Sequence, residues 1–172
     1  MGYVHVYHGE GKGKTTAAMG LALRALGNDM PVVIVQFLKG RPSGEIRMLE
    51  GMANVQVFRG KAGEGFTFDM TPAERAQTLD IHRANLAKAH ALTAQAGLLV
   101  LDEALGAIET GLLPLEDVLA FLADAPEPLE IVLTGRTLPD ALRERADYIT
   151  EMRAVRHPYT TAGIGARKGI EF

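Results

Sequence analysis

The clearest chemical pattern lies near the N-terminus, in a glycine-rich stretch. Gly13-Lys14-Thr15 matches the end of a phosphate-binding loop, although His8 stands where the rule places its first glycine and Gly9 follows one position later. Such loops bind phosphate through backbone N–H groups, a lysine charge and a hydroxyl that can hold Mg²⁺. A glycine-rich turn with an exposed lysine is the alternative. The predicted nucleotide-binding residues are Gly9, Glu10, Gly11, Lys12, Gly13, Lys14, Thr15 and Thr16.

A second pattern is the acidic pair Asp102-Glu103, which follows an apolar run. Ligand sites in parallel sheets lie at the carboxyl ends of strands, where carboxylates bind Mg²⁺ directly or through water. We expect Thr15 and Glu103 on the metal with Asp102 as a neighbouring ligand. The alternative role for one of the acids is to cap the next helix, and we expect both roles to occur, one for each residue. By the same positional rule, Arg136 is predicted to reach the nucleotide.

Two of the six phenylalanines, Phe66 and Phe68, fall in a glycine-bearing connection instead of a strand or helix. Aromatic side chains in such a loop can line a flat hydrophobic ligand. A loop packed on its own aromatic rings is the alternative. No histidine is assigned to catalysis, and the absence of cysteine excludes a thiolate metal cluster and a cysteine nucleophile.

Alternating strands and helices must position these residues. The predicted strands are Tyr3–Tyr7, Pro31–Phe37, Val55–Phe58, Leu98–Leu101, Glu130–Leu133 and Tyr148–Met152. The predicted helices follow Lys14, run from the Thr71 capping box to Ala96, start at Pro114, and run from Leu138 to about Ala146. This alternation predicts an α/β fold, a mostly parallel sheet flanked by helices, of the RecA-like P-loop NTPase type.

Two further expectations concern the long helix and the connections. Small residues spaced along that helix should let it lie close against the sheet, namely Ala84, Ala87, Ala91 and Ala94. The stretches 38–51 and 59–70 lack clear periodicity, and long connections of this kind tend to be functional.

Length and composition limit the remaining possibilities. The 172 residues predict one domain, 1–172, and the 47% hydrophobic content predicts a normal core. A formal net charge of −3 gives no overall positive field for nucleic acid or an anionic membrane. No apolar run approaches the roughly 20 residues that span a bilayer, and the N-terminus does not resemble a signal peptide. We therefore expect a cytoplasmic protein without nucleic-acid or membrane partners.

Over essentially its whole length the sequence resembles the P-loop type of corrinoid adenosyltransferase. The matching motifs, in order, are Gly9–Ala18, Val35–Gly40, Gly65–Phe68, Leu99–Glu103, Thr134–Arg136, Thr150–Met152 and Gly169–Glu171. The resemblance implies that ATP donates its adenosyl group to the Co(I) centre of a reduced corrinoid. It also implies the products: adenosylcobalamin, or adenosylcobinamide or adenosylcobyrate, with inorganic triphosphate.

The resemblance implies roles for the residues found above. Lys12 and Lys14, with Mg²⁺ on Thr15 and Glu103, would offset the charge of the leaving triphosphate. Phe66 and Phe68 would bind the corrinoid and displace its lower axial ligand. The implied partners are ATP, a reduced corrinoid, an electron-donating reductase and a second copy in a homodimer. Two rival functions share the phosphate site: an ATPase or phosphotransferase, and a non-catalytic, nucleotide-gated corrinoid-binding protein.

The sequence departs from the family pattern at three points. Glu10 stands where the family usually has Asn, and its carboxylate would repel the triphosphate beside it unless Lys12 or Mg²⁺ compensates. Phe68 stands where the family usually has Trp, which gives a smaller wedge without an indole N–H. The sequence also begins at the first strand, without the N-terminal extension that covers the corrinoid in some members, so shielding is expected from another part of the chain.

Overall fold

The computed structural model describes residues 2–40, 43–63 and 65–171. Its strands are β1 (Val4–His8), β2 (Val32–Gln36), β3 (Val55–Arg59), β4 (Leu98–Asp102), β5 (Glu130–Thr134) and β6 (Tyr148–Glu151). Each differs from its predicted range by no more than one residue at either end. All five pairings are parallel, in the order β3-β2-β4-β5-β1-β6. The predicted α/β fold with a parallel sheet is therefore confirmed.

The helices cover both faces of this sheet. They are α1 (Lys14–Leu26), α2 (Gly44–Leu49), α3 (Pro72–His90), α4 (Ala104–Glu109), α5 (Leu115–Asp124), α6 (Asp140–Arg145) and α7 (Pro158–Ala162), with a 3₁₀ turn at Thr67–Asp69. The short helices α2, α4 and α7 were not predicted, because five or six residues are too few to show a helical period. None of the described helices is long and apolar enough to span a bilayer.

Alternation along the strands divides the core into two layers. Leu99 and Leu101 of β4 contribute to the layer that includes α3, α4 and α5. Leu98 and Val100 contribute to the opposite layer, with α1. Side chains of a strand point alternately to its two faces, so β4 is buried along its whole length. This buried strand carries Asp102 to the carboxyl edge of the sheet.

The register of the parallel strands places polar residues near the strand ends side by side. Gln36 at the end of β2 pairs with Asp102 at the end of β4, and Tyr7 of β1 pairs with Thr134 at the end of β5. β5 lies between the strand that precedes the phosphate loop and the strand that carries the acidic pair. The loop and the acids therefore meet at one edge of the sheet although they are about 90 residues apart in sequence.

The structure of helix α3 confirms one prediction from the sequence and shows that two others are wrong. The Thr71 capping box is present, with Glu74 as its partner. However, α3 ends at His90, and turns follow where the helix was predicted to continue to Ala96. The predicted stripe of alanines is exposed, and the buried residues are Thr78, His82, Asn85, Leu86 and Ala89. Alanine favours helix on an exposed face as well as a buried one, so its spacing did not identify the packed side.

His82 joins α3 to two loops from inside the core. Its side chain is fully buried, its Nδ1 lies 2.8 Å from the Leu112 carbonyl oxygen, and its Nε2 accepts a hydrogen bond from Leu38 N–H at 3.3 Å. These partners require a proton on Nδ1 and a free Nε2, which is the neutral ring. Burial lowers the pKa of His82 below its ordinary value, and the hydrogen bonds to backbone carbonyls oppose this shift.

Acid should destabilise the protein through His82. Because its folded pKa lies below the ordinary 6.5, the unfolded state binds more protons below that pH, and stability is lost as the pH falls through this window. One such group contributes a slope of at most about 1.4 kcal/mol per pH unit. Urea unfolding midpoints compared at about pH 5 and pH 7.5 measure the effect.

A matched pair of variants isolates this contribution. His82→Gln keeps one donor and one acceptor but cannot titrate, so its midpoint should change less with pH than that of the wild type. His90→Gln changes an exposed histidine on the same helix and should keep the wild-type acid sensitivity. Equal pH dependence in the wild type and His82→Gln would contradict this account of His82.

Candidate active site

The phosphate loop contacts Met152, the residue that follows β6. Gly11 N–H donates to the Met152 carbonyl oxygen, and a Cβ at Gly9 or Gly11 would lie 2.6 Å from that oxygen. Gly9 and Gly13 also have φ angles of 105° and 115°, in the region that disfavours other residues. The glycines are therefore required by both backbone conformation and close approach.

The loop leads directly into the N-terminus of α1. Within the described chain, no side chain caps this helix and no acidic residue lies in its first turn. The first N–H groups of a helix lack intrahelical partners and carry partial positive charge. The start of α1, at Lys14, is therefore a helix end that favours a bound anion, and phosphate binding there stays a prediction.

The Lys14 side chain lies across the loop. Its Nζ donates to the carbonyl oxygens of Gly9 at 2.6 Å and Gly11 at 2.7 Å. Burial lowers the pKa of Lys14, and the carboxylate of Glu103 opposes that shift. The ammonium thus holds the loop closed and lies within the electrostatic reach of the acidic pair.

Asp102 is the centre of a buried polar network. Its side chain is fully buried, and its Oδ1 accepts hydrogen bonds from the hydroxyls of Thr15 and Thr134, each at 2.8 Å. Its Oδ2 accepts from Gln36 Nε2 at 2.9 Å and from Lys39 Nζ at 2.7 Å. Thr15 of the phosphate loop and the acid of β4 are therefore in direct contact, which brings two predicted site residues together.

Three residues of this network were absent from the predicted site: Gln36, Lys39 and Thr134. A signal for two of them was present in the sequence, because Gln36 and Thr134 are polar residues at the ends of apolar strands. Sheet register then places Gln36 beside Asp102. Lys39 follows a residue with a φ of 60°, Leu38, and this turn is not readable from composition.

Glu103 differs from Asp102 in its surroundings. Glu103 occupies the position before α4 with a φ of 60°, yet in the described chain its side chain makes no capping hydrogen bond. The hydrogen bonds that Asp102 accepts come from side chains and not from the backbone of α4. The capping alternative is therefore wrong for both acids. Burial raises the pKa of Glu103, as does Asp102, while Lys39 and other cations lower it. Asp102, not Glu103, contacts Thr15, and a metal role for Glu103 stays a prediction.

Arg136 and Glu10 form an ion pair at the mouth of the loop, with 3.6 Å between Nη1 and Oε2. Lys12 Nζ donates instead to Glu171 Oε1 at 3.1 Å. The described ion pair of Glu10 is therefore with Arg136, which follows β5, and compensation by Lys12 or Mg²⁺ at a bound triphosphate stays a prediction. Hydrogen bonds from Arg167 and Lys12 lower the pKa of Glu171 to about 2.

The aromatic loop presents two stacked rings to solvent. The ring centroids of Phe66 and Phe68 are 5.3 Å apart, and the angle between the ring planes is 6°. The two residues are 71% and 81% exposed, so the loop is not packed on them. Lys61 Nζ donates to the carbonyl oxygens of Gly63 and Gly65, which fixes the start of this loop. A stacked pair of largely exposed aromatic rings is the feature expected of a ligand surface.

Two cavities meet at Arg136. One of about 380 Å³ lies beside the phosphate loop and is lined by His8, Gly9 and Glu10 among others. The other, of about 550 Å³, is lined by Phe66, Glu103 and Lys61 among others. Arg136 lines both, so a cavity bordered by the predicted nucleotide residues Gly9 and Glu10 shares a lining residue with a cavity bordered by the predicted corrinoid residue Phe66.

Comparison with known proteins agrees with this geometry. The family described as ATP:corrinoid adenosyltransferase BtuR/CobO/CobP matches residues 1–172. A corrinoid adenosyltransferase of Pseudomonas aeruginosa is 40% identical over 176 residues, which cover 99% of this chain and 84% of that protein. A corrinoid adenosyltransferase of Escherichia coli K12 is 35% identical over 173 residues, covering 99% and 86%. The chain belongs to the ATP:corrinoid adenosyltransferase family.

Proposed function

We propose that this protein transfers the adenosyl group of ATP to the Co(I) centre of a reduced corrinoid. The products are adenosylcobalamin, or adenosylcobinamide or adenosylcobyrate, and inorganic triphosphate. The observation that carries the proposal is that Arg136 lines both the cavity beside the phosphate loop and the cavity that Phe66 lines. A triphosphate held at the loop and a flat ligand held at the aromatic pair would be neighbours.

The reaction is a nucleophilic substitution at the ribose 5′ carbon. The Co(I) electron pair forms the cobalt–carbon bond, and the bond between that carbon and the triphosphate oxygen breaks. Triphosphate leaves with the bonding electrons, so no proton has to be removed by a general base. Catalysis then depends on stabilising the leaving group, which suits the N-terminus of α1 and the ammonium of Lys14.

The residues present fit a nucleotide-bound Mg²⁺. Thr15 Oγ1 and Asp102 Oδ1 are 2.8 Å apart at the mouth of the loop, and Glu103 follows Asp102 in sequence. In the described chain no cluster of three or more acidic or histidine side chains forms a metal cage. Mg²⁺ in nucleotide sites takes one or two protein oxygens and completes its shell with phosphate and water. When bound, it would neutralise charge on the triphosphate oxygens.

The aromatic pair supplies the corrinoid side of the proposal. Phe66 and Phe68 would lie against the lower face of the corrinoid and displace its axial ligand, which leaves a four-coordinate cobalt that is easier to reduce. Since Co(I) must be generated by reduction, the proposal includes an electron-donating reductase. The proposal also includes a homodimer, on the resemblance to the family, and a cytoplasmic location, on the composition of the sequence.

Glu103→Gln should weaken Mg²⁺-dependent turnover while leaving the fold intact. The amide keeps the shape of the side chain but loses the charge that would hold the cation, so the Mg²⁺ concentration for half-maximal rate should rise about tenfold. Glu109→Gln makes the same change in the same cavity and should leave the Mg²⁺ titration unaltered. An unaltered titration in Glu103→Gln would assign the metal to Asp102 and Thr15 alone.

Product analysis separates the proposal from its rivals. The protein is incubated with ATP, Mg²⁺ and chemically reduced cobalamin, and phosphorus NMR is recorded with the visible spectrum. Adenosyl transfer predicts triphosphate and the spectrum of an alkyl corrinoid. ADP with phosphate would indicate an ATPase or phosphotransferase, and no change in ATP would indicate a nucleotide-gated binding protein.

A further inference from the structure

A lysine ammonium contacts two of the three oxygen-bearing groups that the proposed function assigns to a metal. Lys39 Nζ is 2.7 Å from Asp102 Oδ2 and 3.3 Å from Thr15 Oγ1. Asp102 also accepts hydrogen bonds from Gln36 and Thr134, which fix its orientation. The carboxylate is thus preorganised, and a side-chain cation is already bound to it.

Burial explains why a cation must be there. Asp102 is fully buried, and an unpaired carboxylate in that environment is strongly unfavourable. Lys39 reaches it from the loop after β2, where Leu38 has a φ of 60° and its N–H is held by His82 Nε2. The backbone before Lys39 is therefore tied to the core, which directs the side chain to Asp102.

The ammonium and a metal ion cannot occupy this position together. Mg²⁺ binds carboxylate oxygens at about 2.0–2.1 Å and repels a neighbouring positive charge. We propose that Lys39 occupies the metal position in the nucleotide-free protein and keeps free Mg²⁺ out. This inference rests on the proposed function. The metal then enters only with ATP, whose phosphate oxygens pair with the displaced ammonium.

The proposal predicts that removing the ammonium opens the site to free metal. In nucleotide-free protein, Mn²⁺ binding is measured by electron paramagnetic resonance for the wild type and for Lys39→Met, which keeps the apolar stem. Lys39→Met should bind one Mn²⁺ at least tenfold more tightly than the wild type. Lys88→Met removes an exposed lysine of α3 that lies over the Phe58 ring, away from Asp102, and should behave as the wild type does.

Two further variants secure the interpretation. Lys39→Gln keeps a polar group that can donate to Asp102, so it should fold even where Lys39→Met does not, and it should show the same gain in Mn²⁺ affinity. Adding Asp102→Asn to either variant should abolish the gain, because the carboxylate is the ligand. A gain that survives Asp102→Asn would place the ion elsewhere and overturn the proposal.

Failure of this inference is distinguishable from failure of the proposed function. Calorimetry of ATP with Mg²⁺ on the wild type, together with triphosphate release, tests the function without reference to Lys39. If these succeed and nucleotide-free wild type binds Mn²⁺ as tightly as both Lys39 variants, Lys39 is not a barrier to the metal. The proposal is then wrong while adenosyl transfer stands.

Discussion

Replacing Lys14 with alanine should weaken ATP binding by about 2–4 kcal/mol, or roughly 30- to 700-fold in affinity. Two effects contribute to this loss. The variant removes a partly buried positive charge beside the proposed triphosphate, and it removes the hydrogen bonds that tie Gly9 and Gly11 together. Isothermal calorimetry with ATP and Mg²⁺ measures the change.

A charge-matched control separates a local effect from a general one. Lys88→Ala removes an exposed lysine of α3 that lies over the Phe58 ring of β3, and three strands separate β3 from the strand that leads into the phosphate loop. It should bind ATP with wild-type affinity. Unchanged affinity in Lys14→Ala would contradict the assignment of Gly9–Thr16 as a phosphate site.

Replacing Phe66 or Phe68 with alanine should impair the corrinoid side of the reaction without affecting ATP affinity. Removing an aromatic anchor from a ligand surface typically costs about 2 kcal/mol, so adenosylation of cobalamin should slow by about 30-fold when a weak reductant must supply Co(I). The fraction of four-coordinate cob(II)alamin, read by electron paramagnetic resonance, should fall in parallel.

Two substrates act as internal controls for this effect. Cobinamide has no lower nucleotide ligand to displace, and pre-reduced cob(I)alamin has already lost its axial ligand. With either substrate, the loss of adenosylation rate caused by Phe66→Ala or Phe68→Ala should therefore be much smaller. The rings are 71% and 81% exposed, and their removal should leave the melting temperature unchanged. Equal losses with all three substrates and a lower melting temperature would show that the rings are packing residues instead.

Position 68 allows the converse experiment. If the smaller ring limits displacement of the axial ligand, Phe68→Trp should raise the four-coordinate fraction, because Trp is the residue the family pattern has at this place. The ring is exposed and stacks on Phe66, so a larger side chain meets no core contact. An unchanged four-coordinate fraction would show that Phe68, in place of the family's Trp, has no effect on displacement of the axial ligand.

The strands and the phosphate loop could be predicted from the sequence because their signals are local. Buried parallel strands appear as apolar runs, and the loop appears as glycines followed by Lys14 and Thr15. The position of Asp102 at a strand end also followed from the run before it. These features depend on a few neighbouring residues and on the rule that ligands lie at the carboxyl edge of the sheet.

The contacts of the site depend on register and on turns, which the sequence does not display. The rule for strand ends predicted that both acids lie near the loop but could not decide which one contacts Thr15. The structure gives that contact to Asp102 because β4 ends beside β2 and β5, whose terminal polar residues complete its hydrogen bonds. Lys39 enters through a left-handed residue that no periodicity reveals.

Ion pairs between residues that are far apart in the sequence could not be predicted from the sequence either. Lys12, with Mg²⁺ as the alternative, was named as a counter-charge for Glu10, but its hydrogen bond goes to Glu171, 159 residues away. Arg136 lies beside Glu10 instead, because β5 and β1 are adjacent in the sheet. Where a charge pair forms depends on strand order, and strand order follows from the packing of the whole chain.

The most direct test of adenosyl transfer follows the ribose carbon itself. ATP labelled with carbon-13 at the 5′ position is incubated with the protein, Mg²⁺ and cob(I)alamin, and the corrinoid product is isolated and analysed by carbon NMR. The account predicts that the label is bonded to cobalt, with one triphosphate released for each labelled corrinoid. Label that remains in ADP or in unreacted ATP, with an unalkylated corrinoid, would contradict it.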